Sequence, residues 1–132
     1  MSNDSEDLIR ELFDCFRSGD RAAAARLFAE DAVFHYDGPG PINGEWRGRD
    51  GIIAFWEAQD RHSGGELKPE MVDLVAGDRN VFLMVRFPRS DGAGTWMRVV
   101  VYEIADKTIT GARVFEGDPE AAMAFFSHGP KG

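Results

Sequence analysis

Three consecutive side chains, His35, Tyr36 and Asp37, form the densest cluster of titratable and hydrogen-bonding groups at the end of an expected strand. They stand where a β-branched and aromatic run, Ala32 to Tyr36, meets Asp37-Gly38-Pro39-Gly40-Pro41, so a strand ends at a loop where a pocket can open. An imidazole with an ordinary pKa of about 6.5 suits general-base work at neutral pH. A carboxylate at Asp37 offers the alternative base. Strand alternation sets a condition: Phe34 and Tyr36 share one face, His35 and Asp37 the other. All can point inward only if the strand bends, as a bulge at the glycine-rich exit would make it do. The competing reading makes His35 a partly buried group that hydrogen-bonds the backbone or caps a loop.

A second candidate set lies on the longest strand, where Trp96, Arg98, Val100 and Tyr102 recur at period two and share a face. A charge in a pocket must be paired, or must meet an anionic or carbonyl-bearing ligand, because leaving it dry and alone is expensive. Arg98 therefore reads either as a ligand-facing cation or as half of a salt bridge at a pocket mouth or subunit face. Met97, Val99, Val101 and Glu103 take the opposite face, and its apolar members argue that the back of the sheet is covered. Arg113 on the last strand can join Arg98, or pair with Asp37 or Glu116. Trp46, Phe55, Trp56, Phe82, Met84 and Phe87 read as core and pocket wall.

The elements between these groups decide whether they meet. Leu8, Ile9, Leu12, Phe13 and Phe16 form one stripe of a helix that starts near Ser5 and ends near Gly19, a residue suited to a left-handed cap. Asp20 then caps a second helix through Phe28. After Arg47-Gly48-Arg49, the residues Ile52, Ile53, Phe55 and Trp56 return to helical spacing up to about Gln59, and Ser63-Gly64-Gly65 ends that unit. Strands are expected at Leu67 to Val75, Val81 to Phe87, Thr95 to Ile104 and Thr108 to Phe115. Their separators, Gly77-Asp78, Ser90-Asp91-Gly92-Ala93-Gly94 and Ala105-Asp106-Lys107, are short enough for hairpins, which implies an antiparallel meander. Asp118 and Pro119 open a final helix carrying Met123, Phe125 and Phe126, with Phe125 and Phe126 placed to close one end of the core, and the tail from Gly129 to Gly132 frays. The order ααβαββββα defines an α+β fold in which helices gather on one side of a curled sheet.

Composition narrows the function. A chain of 132 residues with 43% hydrophobic and 29% charged side chains fits one domain (1–132, core about 7–126) and an ordinary soluble class. The net charge of −8 and the scattered basic residues argue against nucleic acid. Cys15 has no internal partner and reads as a small buried thiol. The acidic start MSNDSEDLIREL has no apolar run, and no stretch is long enough to span a membrane, so a cytoplasmic setting is expected. No spacing of a metal site, phosphate loop or Gly-x-Ser-x-Gly elbow is present, and neither metal nor cofactor is implied.

Three motifs in order carry a family resemblance: Phe16-Arg17-Ser18-Gly19-Asp20, then Leu27 through His35 (LFAEDAVFH), then Arg47-Gly48-Arg49-Asp50-Gly51-Ile52, with Asp118-Pro119-Glu120-Ala121-Ala122 near the end. The chain resembles the SnoaL-like branch of the nuclear transport factor 2 superfamily over about Asp7 to Phe126. That resemblance implies a cone-shaped curved antiparallel sheet packed with helices around a central pocket, a homodimer formed through the sheet, and a small hydrophobic organic ligand. It also turns Tyr36 and the Trp96, Arg98, Val100, Tyr102 face into the cone.

The family's known catalytic sets do not carry over. The tyrosine, base and second oxyanion positions of ketosteroid isomerases fall on Leu12, Tyr36 and near Val100, none of which fits its role. The arginine of limonene-epoxide hydrolases has a counterpart in Arg98, but Val100 stands where an aspartate is needed. Two readings follow. In the first, a cofactor-independent isomerase, cyclase or hydratase acts on a small hydrophobic carbonyl-bearing, polyketide-like or terpenoid molecule. Its base is His35 or Asp37, Arg98 and Tyr36 or Tyr102 steady developing charge, and Phe34, Trp56, Trp96 and Arg113 contact substrate. In the second, the same fold is a non-catalytic binding or dimeric interaction module, consistent with the missing catalytic sets.

Overall fold

The computed structural model describes residues 4–63, 68–88 and 95–126. Helix α1 (Asp4–Ser18) buries Ile9, Leu12 and Phe13, the stripe set by their spacing. Gly19 closes it at a φ of 82°, a left-handed conformation that costs glycine little. The Asp20 side chain accepts a hydrogen bond from Ala23 N at 3.0 Å and starts α2 (Arg21–Arg26). That helix is shorter than its composition suggests, because Phe28 is drawn into the sheet.

The strands are β1 (Phe28–Tyr36), β2 (Gly44–Arg47), β3 (Glu70–Ala76), β4 (Asn80–Pro88), β5 (Thr95–Ala105) and β6 (Thr108–Glu116), with α3 (Gly48–Ser63) between β2 and β3 and α4 (Pro119–Phe125) after β6. One curved, unclosed sheet runs in the order β2-β1-β6-β5-β4-β3. The meander from β3 to β6 is antiparallel throughout, as the hairpin-length separators require. The β5–β6 turn puts Asp106 and Lys107 at φ 52° and 62°, the left-handed pair that matches strand twist in a two-residue hairpin. Asp118 caps α4 by accepting from Ala121 N, with Pro119 in the first turn.

Four features depart from the sequence reading. Strand β1 begins at Phe28 rather than Ala32, and it pairs with β6 in parallel, so one junction of the sheet is not antiparallel. Strand β2 lies in a stretch read as loop. Its four residues are held by antiparallel pairing with β1 from Val33↔Arg47 to Tyr36↔Gly44. Helix α3 starts at Gly48 and runs to Ser63. The separators and tail expected within 64–67, 89–94 and 127–132 lie outside the described residues.

Helices α1 and α3 cover the inner face of the sheet. That face carries Phe34 and Tyr36 from β1, Val81, Leu83, Val85 and Phe87 from β4, Trp96, Arg98, Val100 and Tyr102 from β5, and Ala112 and Val114 from β6, all buried. Burying each large apolar side chain here is worth roughly 1.5–3 kcal/mol. Among the described residues no helix is long and apolar enough to cross a membrane.

Candidate functional site

A cavity of about 60 Å³ lies between α1, α3 and the inner face of β4 and β5. Its wall is mostly apolar: Leu12, Phe13 and Phe16 from α1, Phe55 and Trp56 from α3, Phe34 from β1, Leu83, Val85 and Phe87 from β4, and Val100 from β5, with Pro69 beside them. Three polar side chains interrupt it, Gln59, Arg98 and Tyr102. The volume is room for a few waters or a ligand of a few heavy atoms without repacking.

Arg98 is the hinge of the polar part. Its Nε and Nη2 donate to Glu116 Oε1 at 3.0 Å and Oε2 at 2.8 Å, a bidentate pair with side-chain exposures of 5% and 1%. Its Nη1 donates to Gln59 Oε1 at 2.9 Å. The guanidinium also lies over the rings of Phe87, Tyr36 and Phe126 at 4.8, 5.4 and 5.8 Å from their centroids. Burial alone would pull the Arg98 pKa down, but the Glu116 carboxylate outweighs it and holds the pKa above the ordinary arginine value. The cation is permanent.

Glu116 is saturated from the other side. Besides the two bonds from Arg98, it accepts from the Tyr36 hydroxyl and from Trp96 Nε1 at 3.3 Å. Burial first, then the carboxylate beside it, pushes the Tyr36 pKa well above the usual tyrosine range. A Cβ built on Gly38 would stand 2.6 Å from the Tyr36 ring and hydroxyl, so the loop after β1 can close over this tyrosine only with glycine there. The ring of Phe126 packs edge-on against Tyr36 and Trp96 and closes that end of the core. Tyr36 and Trp96 thus hold Glu116 rather than face the cavity.

Two polar groups on the cavity wall keep free capacity. The Tyr102 hydroxyl, on a residue 6% exposed, and Nε2 of Gln59, 2% exposed, have no hydrogen-bond partner among the described residues. Burial raises the Tyr102 pKa despite the lowering effect of Arg98, so this phenol stays neutral.

The expected bases stand elsewhere. His35 is on the outer face of the sheet, its Nδ1 3.6 Å from Glu45 Oε1. Asp37 is exposed and accepts a hydrogen bond from Arg113 Nη1, so the two form an ion pair on the outer face, and neither lines the cavity. The strand does not bend enough to override alternation, so Phe34 and Tyr36 go in and His35 and Asp37 stay out. Alternation also corrects the pocket wall. Phe82 and Met84 are exposed on the outer face, while Leu83, Val85 and Phe87 line the cavity. Of the other candidates, Arg98, Tyr102, Phe34 and Trp56 line the cavity. Gln59 and Glu116 were not singled out as site residues, though each left a signal. Gln59 continues the buried stripe Ile52, Phe55, Trp56 of α3, and Glu116 continues the inward parity of Ala112 and Val114, so both are polar residues on apolar faces.

Among the described residues no group of three His, Cys, Asp or Glu side chains stands close enough to hold a metal ion.

This architecture, a curled sheet wrapped on helices around a small inner cavity, is that of the SnoaL-like fold. Residues 9–112 match the SnoaL-like domain, and the chain belongs to that family. An uncharacterised protein of Mycobacterium tuberculosis is 25% identical over 131 residues, covering 96% of this chain and all of that one. Bal32a, from a soil-derived mobile gene cassette, superposes with a TM-score of 0.82 at 24% identity over 93% of this chain and 96% of its own. A proposed ketosteroid isomerase from Kribbella flavida superposes with a TM-score of 0.72 at 18% identity, over 87% of this chain and 78% of its own. At these identities the solved structures speak for the fold alone.

Proposed function

We propose that this chain binds a small apolar molecule bearing a hydrogen-bond-accepting oxygen, a carbonyl above all, in the cavity under β4 and β5. The observation that carries it is the composition of the wall: apolar throughout except for Gln59, Arg98 and Tyr102, which bring hydrogen-bond donors to it. The same donors would polarise a carbonyl, which is half of an isomerisation, cyclisation or hydration. The other half needs a base. No carboxylate or imidazole lines the cavity among the described residues, since Glu116 is saturated behind Arg98 and His35 and Asp37 face outward. Binding is therefore favoured over proton abstraction by His35 or Asp37.

The volume favours a compact ligand over a polycyclic one. A ketone such as 3-methyl-2-butanone, ~6 non-hydrogen atoms at about 0.7 kcal/mol each, would bind at roughly 4 kcal/mol, a millimolar Kd. Saturation-transfer NMR tests this directly. Transfer to 3-methyl-2-butanone is expected in the wild type and in His35→Ala, and lost in Val100→Phe, which fills the cavity. Transfer that survives Val100→Phe, or disappears in His35→Ala, overturns the reading.

The outer face supports pairing of two copies. Phe82, Met84, Val99, Val101 and Phe115 stand side by side across β4, β5 and β6 by strand register, and Phe82, Met84 and Phe115 are exposed. Charges of both signs rim this patch, Arg86 and Arg113 with Asp73 and Glu103, which lets the surface meet its own copy about a two-fold axis without like charges facing throughout. Light scattering is expected to give a dimer mass that Phe82→Arg reduces to a monomer.

A further inference from the structure

We infer that Glu116 sets the charge of the ligand this cavity accepts: with Arg98 neutralised from behind, the site takes a neutral carbonyl compound and rejects the isosteric carboxylate. The inference rests on the proposed carbonyl-binding role of the cavity and goes further by naming the residue that selects.

The guanidinium lies between two surroundings. On one side is the cavity, which Arg98 lines and Glu116 does not. On the other is the Glu116 carboxylate, 1% exposed, which takes the bidentate Nε and Nη2 fork that a ligand carboxylate would need. Glu116 cannot easily turn away, because Tyr36 and Trp96 donate to its oxygens from behind.

What remains toward the cavity is rich in donors and poor in charge. An arginine has five N–H groups. Three donate to Glu116 and Gln59, and the guanidinium also interacts with the Tyr36 hydroxyl. Gln59 Nε2 and the Tyr102 hydroxyl, both buried and on the wall, have no hydrogen-bond partner among the described residues. A carbonyl oxygen satisfies such donors without adding charge. A carboxylate would satisfy them too, but it would place a second anion against one already neutralised cation, and no other cation lines the cavity among the described residues.

The experiment uses two probes of equal size, 3-methyl-2-butanone and isobutyrate, in which a methyl group replaces a carboxylate oxygen. Each is titrated at pH 7 into the 15N-labelled full chain, following the Gln59 side-chain amide. In the wild type the ketone is expected to shift that resonance and to bind at least about tenfold more tightly than isobutyrate. In Glu116→Gln the guanidinium regains an uncompensated charge, and the order is expected to reverse. A Glu116 that merely supported the fold would, when replaced, weaken both probes alike, and that result overturns the inference. The wild-type titration stands without the variant: equal binding of the two probes overturns charge selection while leaving the carbonyl-binding reading intact. If neither probe binds, both fall.

Discussion

Two arginine–carboxylate pairs sit on the same sheet and share β6, yet they live in different solvents. Arg98 and Glu116 meet on the inner face at side-chain exposures of 5% and 1%, while Arg113 and Asp37 meet on the outer face at 45% and 52%. The chemistry of the partners is the same, so the difference comes from strand parity and from what packs on each face. Inside, each charge has lost its water and depends on its partner, on Gln59, and on the ring faces around it. Outside, water already solvates both partners and the pair adds little.

Breaking the inner pair is the strongest test of that contrast. Arg98→Met or Glu116→Ala alone strands a buried charge and is expected to cost about 3–5 kcal/mol, seen as a lowered urea midpoint. Arg98→Met combined with Glu116→Leu is expected to cost much less than the sum, because neither charge is then left behind. Additive losses would mean that the two side chains do not depend on each other.

The next test asks which tyrosine belongs to the network. Tyr36→Phe removes a hydrogen bond to a buried carboxylate and is expected to cost about 1.5–3 kcal/mol. Tyr102→Phe removes a hydroxyl without a hydrogen-bond partner among the described residues, and its urea midpoint is expected to stay or rise. A Tyr102→Phe variant as unstable as Tyr36→Phe would place Tyr102 in the structural network and away from the ligand.

A smaller effect follows from pH. Tyr36 and Tyr102, the two tyrosines of the chain, both have pKa values raised by burial. Unfolding would let them ionise near pH 10, so above that value the unfolded state binds fewer protons than the folded one and stability falls as pH rises. Below pH 10 their contribution is fully present. Each tyrosine is expected to contribute a decline of about 1.4 kcal/mol per pH unit above that point. Absorbance at the tyrosinate band is expected to stay low in the folded chain at pH 10.5 and to rise on adding denaturant; a rise without denaturant would show that the inner face is wet.

The contrast also explains what the sequence could and could not reveal. Period and punctuation carried α1 with its Gly19 cap, the Asp118-Pro119 start of α4 and the four-strand meander, because each is dictated by neighbours in the chain. The inward position of Arg98 followed from alternation with Trp96, Val100 and Tyr102 and from the family resemblance. Its partner did not, because Glu116 reaches it only through the β5–β6 register that pairs Arg98 with Glu116 directly. Strand β2 was illegible for a similar reason: its one large apolar residue is Trp46, and pairing with β1 supplies the order. His35 and Asp37 drew attention as a titratable cluster, but clustering along a strand puts alternate residues on opposite faces, and here the face that received them was the outer one.

The smallest expected effects belong to that outer face, and they complete the comparison. His35→Ala, Asp37→Ala and Arg113→Ala each remove one side of a solvent-accessible pair, for which about 0–1 kcal/mol is the usual range. The same substitutions leave every group on the cavity wall in place, so binding of 3-methyl-2-butanone is expected to be unchanged in all three. They differ in one respect. His35 and Arg113 border the apolar patch at Phe82 and Phe115, whereas Asp37 lies beyond the end of β1. If two copies pair through this face, His35→Ala and Arg113→Ala will shift the monomer–dimer equilibrium more than Asp37→Ala while ligand affinity stays constant. A substantial loss of ligand binding in His35→Ala would instead return the histidine to the site, and with it a base for proton transfer.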